Sequence, residues 1–152
     1  MPLQCRIRTD PSLLHDGSVL LLNSPSPTLP NKIVLIDWEL AQYGHFAYDL
    51  GQLIGDLCEN QLLDSPQNAK WTIEGFIRGY GGLSDELAFR TAIHAGVHFI
   101  HWYIRRPPIA EMLETPEKIT DAMKLGRDFV IKGWKKDRAW FKGTILAPLF
   151  GF

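Results

Sequence analysis

Cysteine is scarce in this chain. Cys5 and Cys58 are its two thiols, and they stand far apart and outside any CxxC or Cys/His ligand spacing. That fits a reducing compartment better than a disulfide framework, and both residues read as ordinary thiols. Surplus charge is absent as well: sixteen Lys and Arg stand against seventeen Asp and Glu, a formal charge of −1. No basic field is available to grip a nucleic-acid backbone or an anionic membrane, so neither is expected as a partner. No apolar run approaches the roughly 18 residues of a membrane span. The opening Met1-Pro2-Leu3-Gln4-Cys5-Arg6 lacks the apolar stretch of a secretion signal, so a cytoplasmic protein is expected. Repeats, low-complexity tracts and an internal linker are missing too. One domain is expected, since 152 residues with 45% apolar side chains suffice for one core and not for two.

What is present reads as a predominantly helical α+β domain. Residues 1–12, punctuated by Pro2 and Pro11, read as a terminal extension. Two apolar runs follow, Val19-Leu20-Leu21-Leu22 and Ile33-Val34-Leu35-Ile36, separated by a stretch in which Pro25, Pro27 and Pro30 rule out regular structure. They predict a β-hairpin whose second strand is buried on both faces, with helices packed over it. About four helices are predicted next. The first, from His45 to about Leu63, carries Phe46, Leu50, Leu53, Ile54 and Leu57 as one apolar stripe. Ser65-Pro66 opens a second, with Trp71, Ile73, Phe76, Ile77 and Tyr80, which stops at Gly81-Gly82. Ser84 with Asp85 and Glu86 opens a third, running through Leu87, Phe89, Ile93, Val97 and Ile100 to Arg105-Arg106-Pro107. Thr115-Pro116-Glu117 opens the fourth, whose buried face is Ile119, Ala122, Met123, Gly126, Phe129, Val130 and Trp134. Residues 13–143 form the domain on this reading, and residues 144–152 a short apolar tail.

The segment richest in chemistry is Ile33-Val34-Leu35-Ile36-Asp37-Trp38-Glu39, continuing through Ala41 and Gly44 to Tyr48-Asp49-Leu50-Gly51. An acid directly after a strand can be held rigidly at a cleft, as a magnesium ion bridging nucleotide phosphates requires of its ligand. On spacing alone, such an aspartate is more often a turn or helix-cap residue. The whole string, VLIDWELAQYGHFAYDLGQLIGDL, resembles the metal-site segment of the aminoglycoside phosphotransferase and choline kinase-like family, whose pattern here is IDWE…G…YDL. That resemblance implies the C-terminal lobe of a protein kinase-like fold. It also implies ATP and Mg2+ as cofactors and transfer of the γ-phosphoryl group to a small-molecule hydroxyl. Asp37 would then be the magnesium ligand, and Asp49 the supporting acid that braces the active-site loops. Asp49 also reads as a first-turn helix acid interacting with backbone amides, and the two readings are compatible.

The family's catalytic loop, of the form HGDxxxxN, stands before the first strand of the hairpin. Its counterpart here is Leu13-Leu14-His15-Asp16-Gly17-Ser18-Val19-Leu20, about four residues short by comparison with the kinase loop. In that loop four residues separate the catalytic Asp from the Asn. Here a single residue separates Asp16 from Ser18, which argues against Asp16 as the base. Ser18 keeps its place relative to the strand and would still face the metal. His15 aligns with either family histidine. No Gly-rich phosphate loop precedes the hairpin, and Gly79, Gly81 and Gly82 are explained by helix capping. The family's sheet-rich ATP lobe has no counterpart in the first residues. The expectation is therefore a truncated family member inactive on its own, a pseudoenzyme as it stands. The alternative is a non-catalytic module, derived from that lobe, that binds a small ligand or a protein.

Two further features carry weaker signals. His94, His98 and His101 are spaced to share one helical face, so a histidine metal site is conceivable, although no HExxH arrangement is present; a polar stripe or a substrate-side lining is the plainer reading. Trp102, Tyr103, Arg105 and Arg106 could bound an acceptor pocket, but aromatics at helical spacing are more often core. Lys132, Lys135, Lys136 and Arg138 read as the solvated face of the last helix.

Overall fold

A computed structural model describes residues 19–22, 32–36, 44–63, 66–105 and 115–152. Strands β1 (Val19–Leu22) and β2 (Lys32–Leu35) pair antiparallel, with Val19 opposite Leu35 and Leu22 opposite Lys32. Helices α1 (Ala47–Leu63), α2 (Pro66–Tyr80), α3 (Asp85–Arg105) and α4 (Pro116–Trp134) follow. The one-turn helix α5 (Arg138–Phe141) and a 3-10 turn over Ala147–Phe150 complete the chain. The fold is mostly helical, as the apolar periodicity predicts.

The helix boundaries follow from local chemistry. The Ser84 hydroxyl accepts from the Leu87 amide and Thr115 Oγ1 from the Lys118 amide, so two of the predicted caps are in place. Helix α2 stops where Gly81 and Gly82 take φ of 93° and 82°, a region that costs glycine nothing. At the start of α1, His45 Nδ1 accepts from the Ala47 amide, a cap supplied by an imidazole rather than a hydroxyl or carboxylate.

Helix α3 is the centre of the bundle. It runs parallel to α1, Gly51 facing His94 and Gly55 facing His98, and antiparallel to α4, Gly96 facing Gly126 and Gly133 facing Phe89 and Ile93. Helix α2 packs on α1 and completes the layer. Ile54, Ile73, Phe89, Phe99, Phe129 and Phe141 are buried between these elements.

Several expectations are corrected. Strand β2 is not buried on both faces: Ile33 is 66% exposed, and Val34 and Leu35 are exposed too. Residues 144–152, set apart from the domain as a short apolar tail, pack into its core. Leu146, Leu149 and Phe150 belong to the core, and the Phe150 ring lies 4.6 Å from that of Phe141 and 4.9 Å from that of Phe89. Arg138 clamps this end of the chain by binding both Asp85 and the Phe150 carbonyl oxygen. Phe46, Trp71, Tyr80 and Val97 lie at the surface rather than in their stripes, and Trp134 is 80% exposed. Phe46, Tyr80 and Trp134 each stand at or next to a helix end, where the stripe outruns the element meant to cover it.

Candidate functional site

Strand β2 delivers the chain to Ile36, which is half-buried, and α1 picks it up again at Ala47. Between them stands Asp37. It lies outside the described residues, as do His15, Asp16 and Ser18 of the catalytic-loop counterpart. The prolines and polar residues at 23–31, and Arg106 with Pro107 and Pro108, fall outside as well.

Asp49 is described. It sits half-buried in the first turn of α1, where its charge meets the positive end of the helix. Next to it, the Tyr48 ring lies 4.2 Å from the imidazole of His94, tilted by 42°. Gly51 permits this approach, because a Cβ there would come within 2.4 Å of the His94 Cβ. Burial, followed by the charges of His45 and Arg90, holds the His94 imidazolium below its ordinary value, so this ring is neutral near pH 7. Asp49 and Tyr48 thus stand in the first turn of α1, with His45 at its cap and the His94 ring against Tyr48.

His94 also lines a groove of about 400 Å³ between α3 and α4, with Phe89, Ile93 and Trp134 as its apolar wall. Its rim is charged. Glu86 accepts from Arg90 at 2.7 Å and from Lys136 at 3.1 Å, and these partners, Arg90 first, hold its carboxyl below the usual range. A wider depression of about 840 Å³ is bounded by Arg78, Gly82, Asp85, Arg138 and Phe152.

The three histidines of α3 do not act together. His94 turns to Tyr48 and His98 to Asp56, with Nε2 2.9 Å from Oδ1, while His101 is exposed. What the fold assembles instead is Asp56 and Glu59 of α1 with His98 of α3, whose ligating atoms all lie within 4.8 Å of one another. The sequence did carry a signal for this: two acids three positions apart, embedded in the apolar stripe of Leu53, Ile54, Leu57 and Cys58. Cys58 itself is buried, which pushes its thiol up and leaves it inert.

No family model matches the chain, and no solved structure matches it significantly. Two named fungal proteins do. Phosphotransferase FrzJ of Cladobotryum sp is 33% identical over 120 residues, covering 78% of this chain and 30% of that protein. The 4-hydroxytryptamine kinase of Psilocybe cubensis is 28% identical over 92 residues, covering 59% of this chain and 25% of that protein. The chain thus spans less than a third of the length of these curated relatives, and what it is similar to is phosphotransferases of kinase type. Among the described residues, no helix is long and apolar enough to cross a membrane.

Proposed function

We propose that these residues correspond to the C-terminal lobe of an ATP-dependent small-molecule phosphotransferase related to the aminoglycoside phosphotransferases and choline kinases. The observation that carries the reading is the 33% identity to a phosphotransferase over 78% of the chain. The segment Ile36-Asp37-Trp38-Glu39 with Tyr48-Asp49-Leu50 supplies the pattern expected of the metal-binding side of such a lobe.

The donor chemistry fits a hard divalent cation, since the Asp37 carboxylate and the Ser18 hydroxyl are oxygen ligands of the kind Mg2+ takes. When bound, the ion would supply charge neutralisation along the nucleotide phosphates. Asp37 is the ligand in this reading, Ser18 a second oxygen on the same side, and Asp49 the carboxylate that braces the loop from the first turn of α1. His15 and Asp16 occupy the shortened catalytic loop, and their spacing from Ser18 leaves the general-base position unfilled. A general base contributes about 10²–10⁴-fold, and phosphoryl transfer depends chiefly on positioning. This chain alone is therefore proposed to bind the metal–nucleotide pair weakly and to turn over little or nothing.

The shortened loop also favours a second reading, a non-catalytic module that keeps a small-molecule or protein site on its helices. Calorimetric titration with ATP and Mg2+ separates the two. The phosphotransferase reading expects heat at millimolar nucleotide that Asp37→Ala abolishes. Silence at that concentration, with the protein folded, would leave the binding module standing.

A further inference from the structure

We propose that Asp56, Glu59 and His98 form a second metal site, one that takes a zinc-class transition ion and staples α1 to α3, separate from any nucleotide-bound magnesium at Asp37. Three side chains with ligating atoms mutually within 4.8 Å meet here from two helices. Asp56 and Glu59 are 7% and 3% exposed. A buried carboxylate oxygen is expensive unless it is paired or bound to a metal, and here that cost falls on Asp56 Oδ2.

An independent observation points to a ligand. Asp56 Oδ1 is 2.9 Å from His98 Nε2, but Asp56 Oδ2 is buried and has no hydrogen-bond partner among the described residues. A carboxylate placed to serve His98 alone has no need to hide its other oxygen. Gly55 reinforces the point. A Cβ at that position would lie 2.6 Å from His98 Cδ2, so the glycine lets the imidazole press against α1 one residue before Asp56.

One imidazole nitrogen and two carboxylates are a mixed nitrogen and oxygen set. It suits Zn2+ or a neighbouring first-row ion better than Mg2+ or Ca2+, which take oxygen alone. Zinc sits about 2 Å from each donor, so donors facing each other across it stand up to about 4 Å apart. Taking up the ion would require rotamer changes that open the 2.9 Å contact between His98 Nε2 and Asp56 Oδ1. Water would take the remaining position. Because the ligands come from two helices, ion binding favours the folded state.

The test uses the untagged protein, stripped with chelator and then dialysed against Zn2+. One zinc retained per chain is expected, together with a rise in Tm that chelator reverses. At zinc one hundred times its Kd, the folding equilibrium constant should rise about 100-fold. Asp56→Asn and His98→Gln should each abolish retention and the shift, whereas His101→Gln should leave both intact. Co2+ in place of zinc should give the visible d–d bands of a low-coordinate nitrogen and oxygen site in the unaltered protein, a readout that survives even if a variant fails to fold. Absence of stoichiometric zinc and of cobalt bands would overturn the proposal, as would equal retention by folded Asp56→Asn and His98→Gln.

Discussion

Gly96 of α3 and Gly126 of α4 meet backbone to backbone: a Cβ on Gly96 would sit 2.5 Å from the Gly126 carbonyl oxygen, and one on Gly126 would sit 3.0 Å from that of Gly96. This close α3–α4 crossing therefore depends on a missing methyl group on each side, and it seats Phe99 and Phe129 around it.

Gly96→Ala should destabilise the domain by about 1–3 kcal/mol through overpacking. Gly75 of α2 is the control, because nothing lies within 4 Å of a Cβ there. Gly75→Ala should stabilise by about 0.5–1 kcal/mol through helix propensity alone. Urea unfolding of both variants checks the opposite signs.

The aromatic end of the chain is a structural element. Phe150 is 3% exposed and stacks on Phe141 with the rings 25° from parallel. Phe150→Ala should cost about 3–5 kcal/mol, a loss far outside the range of surface substitutions. Thermal unfolding of the variant decides whether residues 144–152 belong to the domain.

His94 ties stability to pH. Its folded-state value is held below the ordinary 6.5, by burial first and then by His45 and Arg90. As the pH falls beneath 6.5, the unfolded chain takes up a proton that the folded chain refuses, so stability drops until the lower, folded-state value is passed. Above the ordinary value this contribution is fully present. His94→Gln should flatten the decline that sets in as the pH falls below the ordinary histidine value, read from urea midpoints measured downward from about pH 7.

Much of the helical scaffold was legible because caps and periodicity are local signals. Ser84, Thr115 and the Gly81-Gly82 stop stand where the residues place them. Burial was less legible, because periodicity marks a face without saying what covers it. Thus Trp134 continues the stripe of α4 into solvent, and Ile33 lies exposed on a strand whose composition reads as core. The tail misled for the opposite reason: Leu146, Leu149 and Phe150 have no period long enough to read, and their burial depends on a cavity built by Phe89 and Phe141 far away in sequence. The proximity of His98 to Asp56 and Glu59 was hidden because it crosses between helices, whereas spacing along α3 says only that His94, His98 and His101 can share one face.

The central claim, that Asp37 holds the divalent ion of a phosphotransferase lobe, is tested most directly by water-proton relaxation with Mn2+ and ATP. The measurement is made in an Asp56→Asn background so that the α1–α3 site stays silent. The account predicts a relaxation enhancement that grows with protein concentration, requires nucleotide and disappears when Asp37→Ala is added. An enhancement that persists without the Asp37 carboxylate, or none at all from the folded protein, would contradict it.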